Sequence, residues 1–221
     1  MTAVQTSTRR AADQMRRMIF SGELAAGSDH LETELAARFG MSRTPVREAA
    51  LLLEAQGLVS VRPRRGVRIL AVSAEDMAEI YDVLTELESH AAMRAAAAGH
   101  SDAELKEMAD AIDAMDAALA RGDRAAWAEA DDRFHSELVR LGNNSRIQSI
   151  VGMMWDQVRR ARALTLYLRP LPQKSNDDHR AVLAAIRAGG AYKAQSIHRA
   201  HRENAKEMLI GLLREHRLTQ L

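Results

Sequence analysis

The chain of 221 residues contains no cysteine, which excludes a disulfide framework, a thiolate metal site and a cysteine nucleophile. No apolar run reaches transmembrane length, and the opening Met1-Thr2-Ala3-Val4-Gln5 has no signal-peptide core. A cytoplasmic protein without a membrane partner is expected. There is no HExxH motif, no nucleophile elbow and no second carboxylate pair, so an enzyme is not expected. Lysine is missing from the first 70 residues. All eleven cations there are arginine, the better residue for bidentate contacts to phosphates and base edges, and they face seven acids for a balance of +4. The remainder of the chain carries −3. A basic front joined to a mildly acidic back points to a nucleic-acid module with a regulatory partner domain.

What is present starts with Gly40-Met41-Ser42-Arg43-Thr44-Pro45-Val46-Arg47-Glu48-Ala49-Ala50-Leu51. Gly40 can end a helix in the left-handed conformation, Ser42 or Thr44 can cap the next one, and Pro45 suits its first turn. Arg43 and Arg47 are four apart and share a face beside a helix N-terminus, where exposed N–H groups and the helix dipole also favour anions. Before this stretch, Thr8 to Phe20 reads as one helix and Leu31 to Phe39 as a second, with Leu31, Leu35 and Phe39 on one stripe. After it come Leu58-Val59-Ser60-Val61-Arg62, the turn Pro63-Arg64-Arg65-Gly66, and Val67-Arg68-Ile69-Leu70. Two short helices joined by a tight turn, then a small two-stranded hairpin with an arginine-rich tip, predict a winged helix-turn-helix over residues 1–70.

The segments Gly40 to Ala49, Leu53-Glu54-Ala55-Gln56-Gly57-Leu58-Val59 and Pro63-Arg64-Arg65-Gly66-Val67 resemble the winged helix-turn-helix of the GntR family of bacterial transcription regulators. The resemblance implies operator contacts from Ser42, Arg43, Thr44 and Arg47, from Arg65 and Gly66 at the wing tip, and from Thr33 to the DNA backbone. It also implies a homodimer on palindromic double-stranded DNA. The chain departs from the family at Gly27-Ser28-Asp29-His30-Leu31, where Asp29 stands at a commonly basic place. His30 is accordingly left off the DNA surface.

From Ser73 onward everything reads as helix, and residues 71–221 predict an all-helical antiparallel bundle. The expected segments are Ala74–Ala98, Asp102–Ala120, Arg124–Leu141, Ser145–Leu168, Gln173–Ala188 and Ala191–Arg217. Glycine-, asparagine- and proline-containing breaks separate them. The fold class is thus mainly α.

Four polar residues stand out in the bundle. Asp131 and His135 are four apart on one helix face, His179 precedes the apolar stripe Val182, Leu183 and Ile186, and His201 shares a stripe with Ile197, Ala205 and Met208. A divalent cation would satisfy all four, yet packed or solvated histidines give the same pattern. The other histidines, His30, His90, His100, His198 and His216, are assigned surface or packing roles.

Residues 75–217 resemble the FCD domain of the FadR-like GntR subgroup. The resemblance runs through Asp131-Asp132-Arg133-Phe134-His135, Gly142-Asn143, Asp178-His179-Arg180-Ala181-Val182-Leu183-Ala184-Ala185-Ile186 and His201. It implies a divalent metal, with zinc, nickel and manganese the leading identities, held by Asp131, His135, His179 and His201, with Asp132 an alternative oxygen ligand. It further implies a small-molecule effector, an organic acid chelating that metal. Leu84 replaces a frequent arginine, so Arg159 and Arg162 are the substitute cations considered for the effector carboxylate. A dedicated metal sensor, and a metal-dependent enzyme, are the alternatives to an effector-responsive regulator.

Overall fold

The structure is a computed structural model that describes residues 6–216. Met1 to Gln5, and Arg217 where the final helix was expected to end, lie outside the described residues. The chain divides into two compact units. One takes in 6–74, 153–163 and the described end of the chain from 213; the other takes in 75–152 and 164–212.

The first unit begins with α1 (Ser7–Phe20), whose first turn is capped by the Thr6 hydroxyl accepting from the Arg9 N–H at 3.3 Å. Its apolar stripe buries Ala11, Ala12, Met15, Met18 and Ile19. Helices α2 (Glu32–Phe39) and α3 (Arg43–Ala55) follow, joined through Gly40 in the left-handed conformation at φ 63°. That glycine returns its N–H to Ala37 while Met41 returns to Ala36, closing the end of α2 before α3 starts. Val46, Ala49, Ala50 and Leu53 of α3 are fully buried against α1, α2 and the sheet residues Val59, Val67 and Ile69. Burying a side chain of valine or leucine size stabilises the fold by about 1.5–3 kcal/mol.

The wing holds one more strand than the two expected. β2 (Val59–Arg62) and β3 (Gly66–Ile69) form the antiparallel hairpin, and β1 (Asp29–His30) pairs with the other edge of β3, giving the order β1-β3-β2. Two residues are too short a run to show alternation in sequence. Gly66 permits the approach of β1: its φ is 84°, and a Cβ there would fall 2.2 Å from the His30 carbonyl oxygen. Leu31, expected on the apolar stripe of α2, instead precedes the helix and is 46% exposed.

The second unit is built from α4 (Ala74–Ala98), α5 (Lys106–Ala120), α6 (Arg124–Leu141), α8 (Gln173–Arg187) and α9 (Ala191–Glu215), with both ends of α7 (Ser145–Thr165). Residues 153–163 of α7 and 213–215 of α9 count with the first unit. Glu104 accepts from the Ser101 N–H and hydroxyl at 2.9 and 2.7 Å, a capping arrangement, and the regular helix α5 runs from Lys106, not from Asp102, after a turn over residues 102–105. The core gathers Met108, Ile112 and Met115 of α5, Phe134 and Leu138 of α6, and Ile186 of α8. No helix of the described residues is long and apolar enough to cross a membrane.

Candidate nucleic-acid interface and candidate metal centre

In the first unit, the start of α3 and the wing present their polar residues to a common concave surface of about 410 Å3, shared by Thr33, Arg43, Arg47, Arg62, Arg64 and Gly66. Ser42 occupies the N-cap position of α3, although its hydroxyl makes no capping bond, and Thr44 is exposed on the first turn. Arg43 and Arg47 are two-thirds exposed, while Val46 between them is buried, so the backbone fixes the helix and leaves the guanidiniums outside it. Arg65 is exposed at the wing turn.

The sequence reading missed three members of this surface. Arg64 takes the strained corner of the wing turn at φ 63°. Arg62 reaches toward Asp29 at 3.9 Å, and the same carboxylate holds Arg68 at 2.9 Å. Asp29 therefore orders the base of the wing. Glu32, largely buried at the start of α2, lies 3.5 Å from Arg43 Nη2 and 3.9 Å from Arg47 Nε. It sits between the two arginines and restrains both.

In the second unit, α6, α8 and α9 bring Asp131, His135, His179 and His201 together. None is more than 7% exposed. The His179 and His201 Nε2 atoms are 3.2 Å apart. Asp131 lies 3.6 Å from His179 Nε2 and 3.7 Å from His135 Nε2. Nitrogen and oxygen donors roughly 2.1 Å from one ion stand about 3–3.5 Å from one another. The ligand nitrogens of His135, His179 and His201 lie within 4.8 Å of one another, a grouping that could hold a metal ion, with Asp131 beside two of them. Three imidazoles and one carboxylate suit zinc or nickel better than calcium or magnesium. Asp132, the alternative oxygen, is half-buried, and the measured approaches to the imidazoles come from Asp131.

Around these four stands a set of polar residues that sequence reasoning did not single out. His135 Nδ1 is 2.9 Å from Glu88 Oε2, and His201 Nδ1 is 3.5 Å from Asp178 Oδ2. Such carboxylates fix the tautomer and turn Nε2 toward the shared centre. Burial alone would raise the Asp178 carboxyl, but hydrogen bonds with His201 and Lys174 outweigh it and hold the group below its ordinary value. His198, assigned above to the surface or to ordinary packing, is 1% exposed and 3.4 Å from Glu88. Its burial holds the imidazole well below 6.5, so it is neutral near pH 7. Glu88, His135 and His198 make a second ligand-type trio that shares His135 with the first.

Leu84 is fully buried. The guanidinium beside α4 comes instead from α9: Arg202, 1% exposed, lies 3.6 Å from Glu88 and 4.5 Å above the Tyr81 ring. Arg159 and Arg162, considered above for an effector, fall within 153–163 of the first unit, whereas the histidine cluster is in the second. Arg159 is 3.9 Å from Asp156, and Arg162 is buried.

Comparison with known proteins follows the same division of the chain. Residues 7–69 match the model of the bacterial regulatory proteins of the gntR family, and residues 79–204 match the FCD domain. An HTH-type transcriptional regulator of Agrobacterium vitis is 43% identical over 130 residues, covering 57% of this chain and 74% of that protein. A probable D-xylose utilization operon transcriptional repressor of Paenarthrobacter nicotinovorans is 32% identical over 171 residues, covering 77% of this chain and 74% of its own length. Among solved structures, a putative GntR transcriptional regulator from Rhodococcus sp. RHA1 superposes with a TM-score of 0.75 at 26% identity, over 94% of this chain and 99% of that one.

Proposed function

The chain belongs to the gntR family of bacterial regulatory proteins and carries an FCD domain, and from that premise we propose a cytoplasmic, homodimeric repressor whose operator affinity responds to a small carboxylate and a divalent metal. That it is a DNA-binding transcriptional regulator follows from the family itself. The repressor sense is drawn from the D-xylose operon relative. One observation carries the regulatory half of the proposal: Asp131, His135, His179 and His201 from three helices converge, with hydrogen-bonding or ion-pair distances among them, in a buried interior.

Asp131 adds a carboxylate beside the grouped imidazoles of His135, His179 and His201. A divalent ion bound there would neutralise the carboxylate, tie the three helices, and offer its remaining coordination positions to an anionic ligand. Glu88 and Asp178 would keep the His135 and His201 rings turned so that Nε2 faces inward. The effector changes DNA affinity only by binding the DNA-competent and DNA-incompetent arrangements unequally.

On the DNA side, Arg43 and Arg47 are the groups that would read base edges or phosphates, with Thr33, Ser42, Thr44, Arg65 and Gly66 supporting contacts. Two copies related by a two-fold axis would read a palindrome. The test is a titration of operator binding with metal alone, then with metal plus a panel of carboxylates. A response only when both are present upholds the proposal. A full response to metal alone makes the protein a metal sensor, and no response to either rejects ligand control.

A further inference from the structure

Below the histidine cluster the same helices enclose a second, chemically different space. A cavity of about 320 Å3 is lined chiefly by apolar side chains, among them Leu119, Trp127, Leu166, Leu171 and Met208. Its size is at the low end for small-molecule sites, and an apolar wall with a few polar groups at the rim is their usual make-up. Three of its lining residues stand in a fixed relation to the cluster. Trp127 precedes Asp131 by four on α6, Ser175 precedes His179 by four on α8, and Ala205 follows His201 by four on α9. Residues four apart share a helix face one turn, about 5.4 Å, along the axis. The cavity therefore lies one turn from the cluster on each of the three helices.

The walls are fixed in place. The Trp127 indole donates its N–H to Asn176 Oδ1 at 2.8 Å, and the Asn176 amide is anchored in turn on Asp116 at 2.7 Å. With that N–H engaged, the ring offers the cavity an apolar surface. At the rim, Arg124 Nη1 donates to the Leu166 and Arg169 carbonyl oxygens at 3.2 and 2.7 Å, which pins the connection between α7 and α8 over the cavity. Both acceptors are neutral carbonyls, so these bonds position the guanidinium without cancelling its charge. Lys174, by contrast, is paired with Asp178 at 2.9 Å. Leu171 is 58% exposed and Met208 41% exposed, leaving an apolar mouth open to a ligand.

We propose that this cavity is a binding site for a small organic anion with a compact apolar body, the body seated against Trp127 and the anionic group at Arg124. The proposal deepens the metabolite-responsive reading above by giving the ligand an apolar part, and it rests on that reading only for the regulatory consequence. Binding itself requires no metal. Because each wall helix also carries a member of the histidine cluster, a ligand filling the cavity acts on the same three segments that hold the cluster.

The test measures binding of three probes to the full-length protein, after chelator treatment and again with zinc restored, by calorimetry and by quenching of tryptophan fluorescence. Phenylacetate has both parts, 2-phenylethanol has the apolar body alone, and acetate has the charge alone. Phenylacetate is expected to bind most tightly in both states. Ala205→Leu, which fills the cavity, and Leu171→Asp, at the exposed mouth, should each weaken it about tenfold. Arg124→Gln should remove the preference for phenylacetate over 2-phenylethanol, and Arg124→Lys should retain it. Phenylacetate binding by the Ala205 and Leu171 variants as tight as by the parent protein, or no discrimination among the probes, overturns the proposal. Phenylacetate that binds only the zinc-loaded protein, and is indifferent to Ala205→Leu, also overturns it, while leaving ligand control through the metal site standing.

Discussion

His135 Nδ1 lies 2.9 Å from Glu88 Oε2, and neither side chain is more than 2% exposed. A histidine held this way on one nitrogen has the other turned to a fixed direction, here toward Asp131 and His179. Glu88→Gln keeps the size and removes the charge, so metal affinity is expected to fall roughly 10–100-fold. Competition with a chromophoric chelator measures this. Unchanged affinity would mean that Glu88 does not orient His135.

The DNA surface gives a prediction in two parts. Arg43→Ala and Arg47→Ala should weaken operator binding without lowering thermal stability, since both side chains stand outside the core. A contact to a guanine edge loses about 1–3 kcal/mol at that base, whereas a phosphate contact weakens all sequences alike and flattens the salt dependence. Glu32→Gln frees both arginines and should relax base discrimination while raising non-specific affinity. Binding isotherms on operator and scrambled DNA at several salt concentrations separate these cases, and a double arginine variant that binds normally contradicts the interface.

Most of the fold was legible because the bundle is written in a 3.6-residue period and punctuated by glycine and proline. α6 begins and ends where the sequence pattern placed it, Arg124–Leu141. The pair β1 and β3 was not legible, because a two-residue strand carries no period and its pairing depends on Gly66 meeting His30 across 36 residues. Asp131, His135, His179 and His201 stood out by their place on apolar stripes, and the resemblance to the FCD domain was what made them a ligand set. Glu88 and Arg202 had the same signal: Glu88 shares the buried α4 stripe with Tyr81, Leu84 and Ala92, and Arg202 shares that of α9 with Ala194 and Leu209. A charged residue on a buried stripe needs a partner, but only the three-dimensional meeting of α4, α6 and α9 shows which.

Acid should loosen the bundle at Asp116. Burial would raise this carboxyl, but the Asn176 amide and the Arg180 guanidinium at 2.6–2.8 Å outweigh it and hold it below its ordinary 3.8. A depressed carboxyl stabilises the fold above its unfolded value, and that contribution disappears as pH falls below 3.8 through the folded value. Asp116 is 43% exposed, so the contribution at neutral pH is about 0.5 kcal/mol after solvent screening. Asp116→Asn should lower the melting temperature at pH 7, and the gap to the parent protein should close below pH 4 in a pH series of melts. A gap that stays constant would show that the ionised carboxylate contributes nothing.

The most direct test of ligand control is His179→Ala, because His179 contacts both Asp131 and His201 and is 1% exposed. Metal content by elemental analysis is measured together with operator affinity, with and without an effective carboxylate, for the parent and the variant. The account predicts that the variant loses most of its metal and its response to carboxylate, while the first unit preserves basal DNA binding. A variant that keeps its metal and its full response would contradict the account, leaving His179 as a packed core histidine.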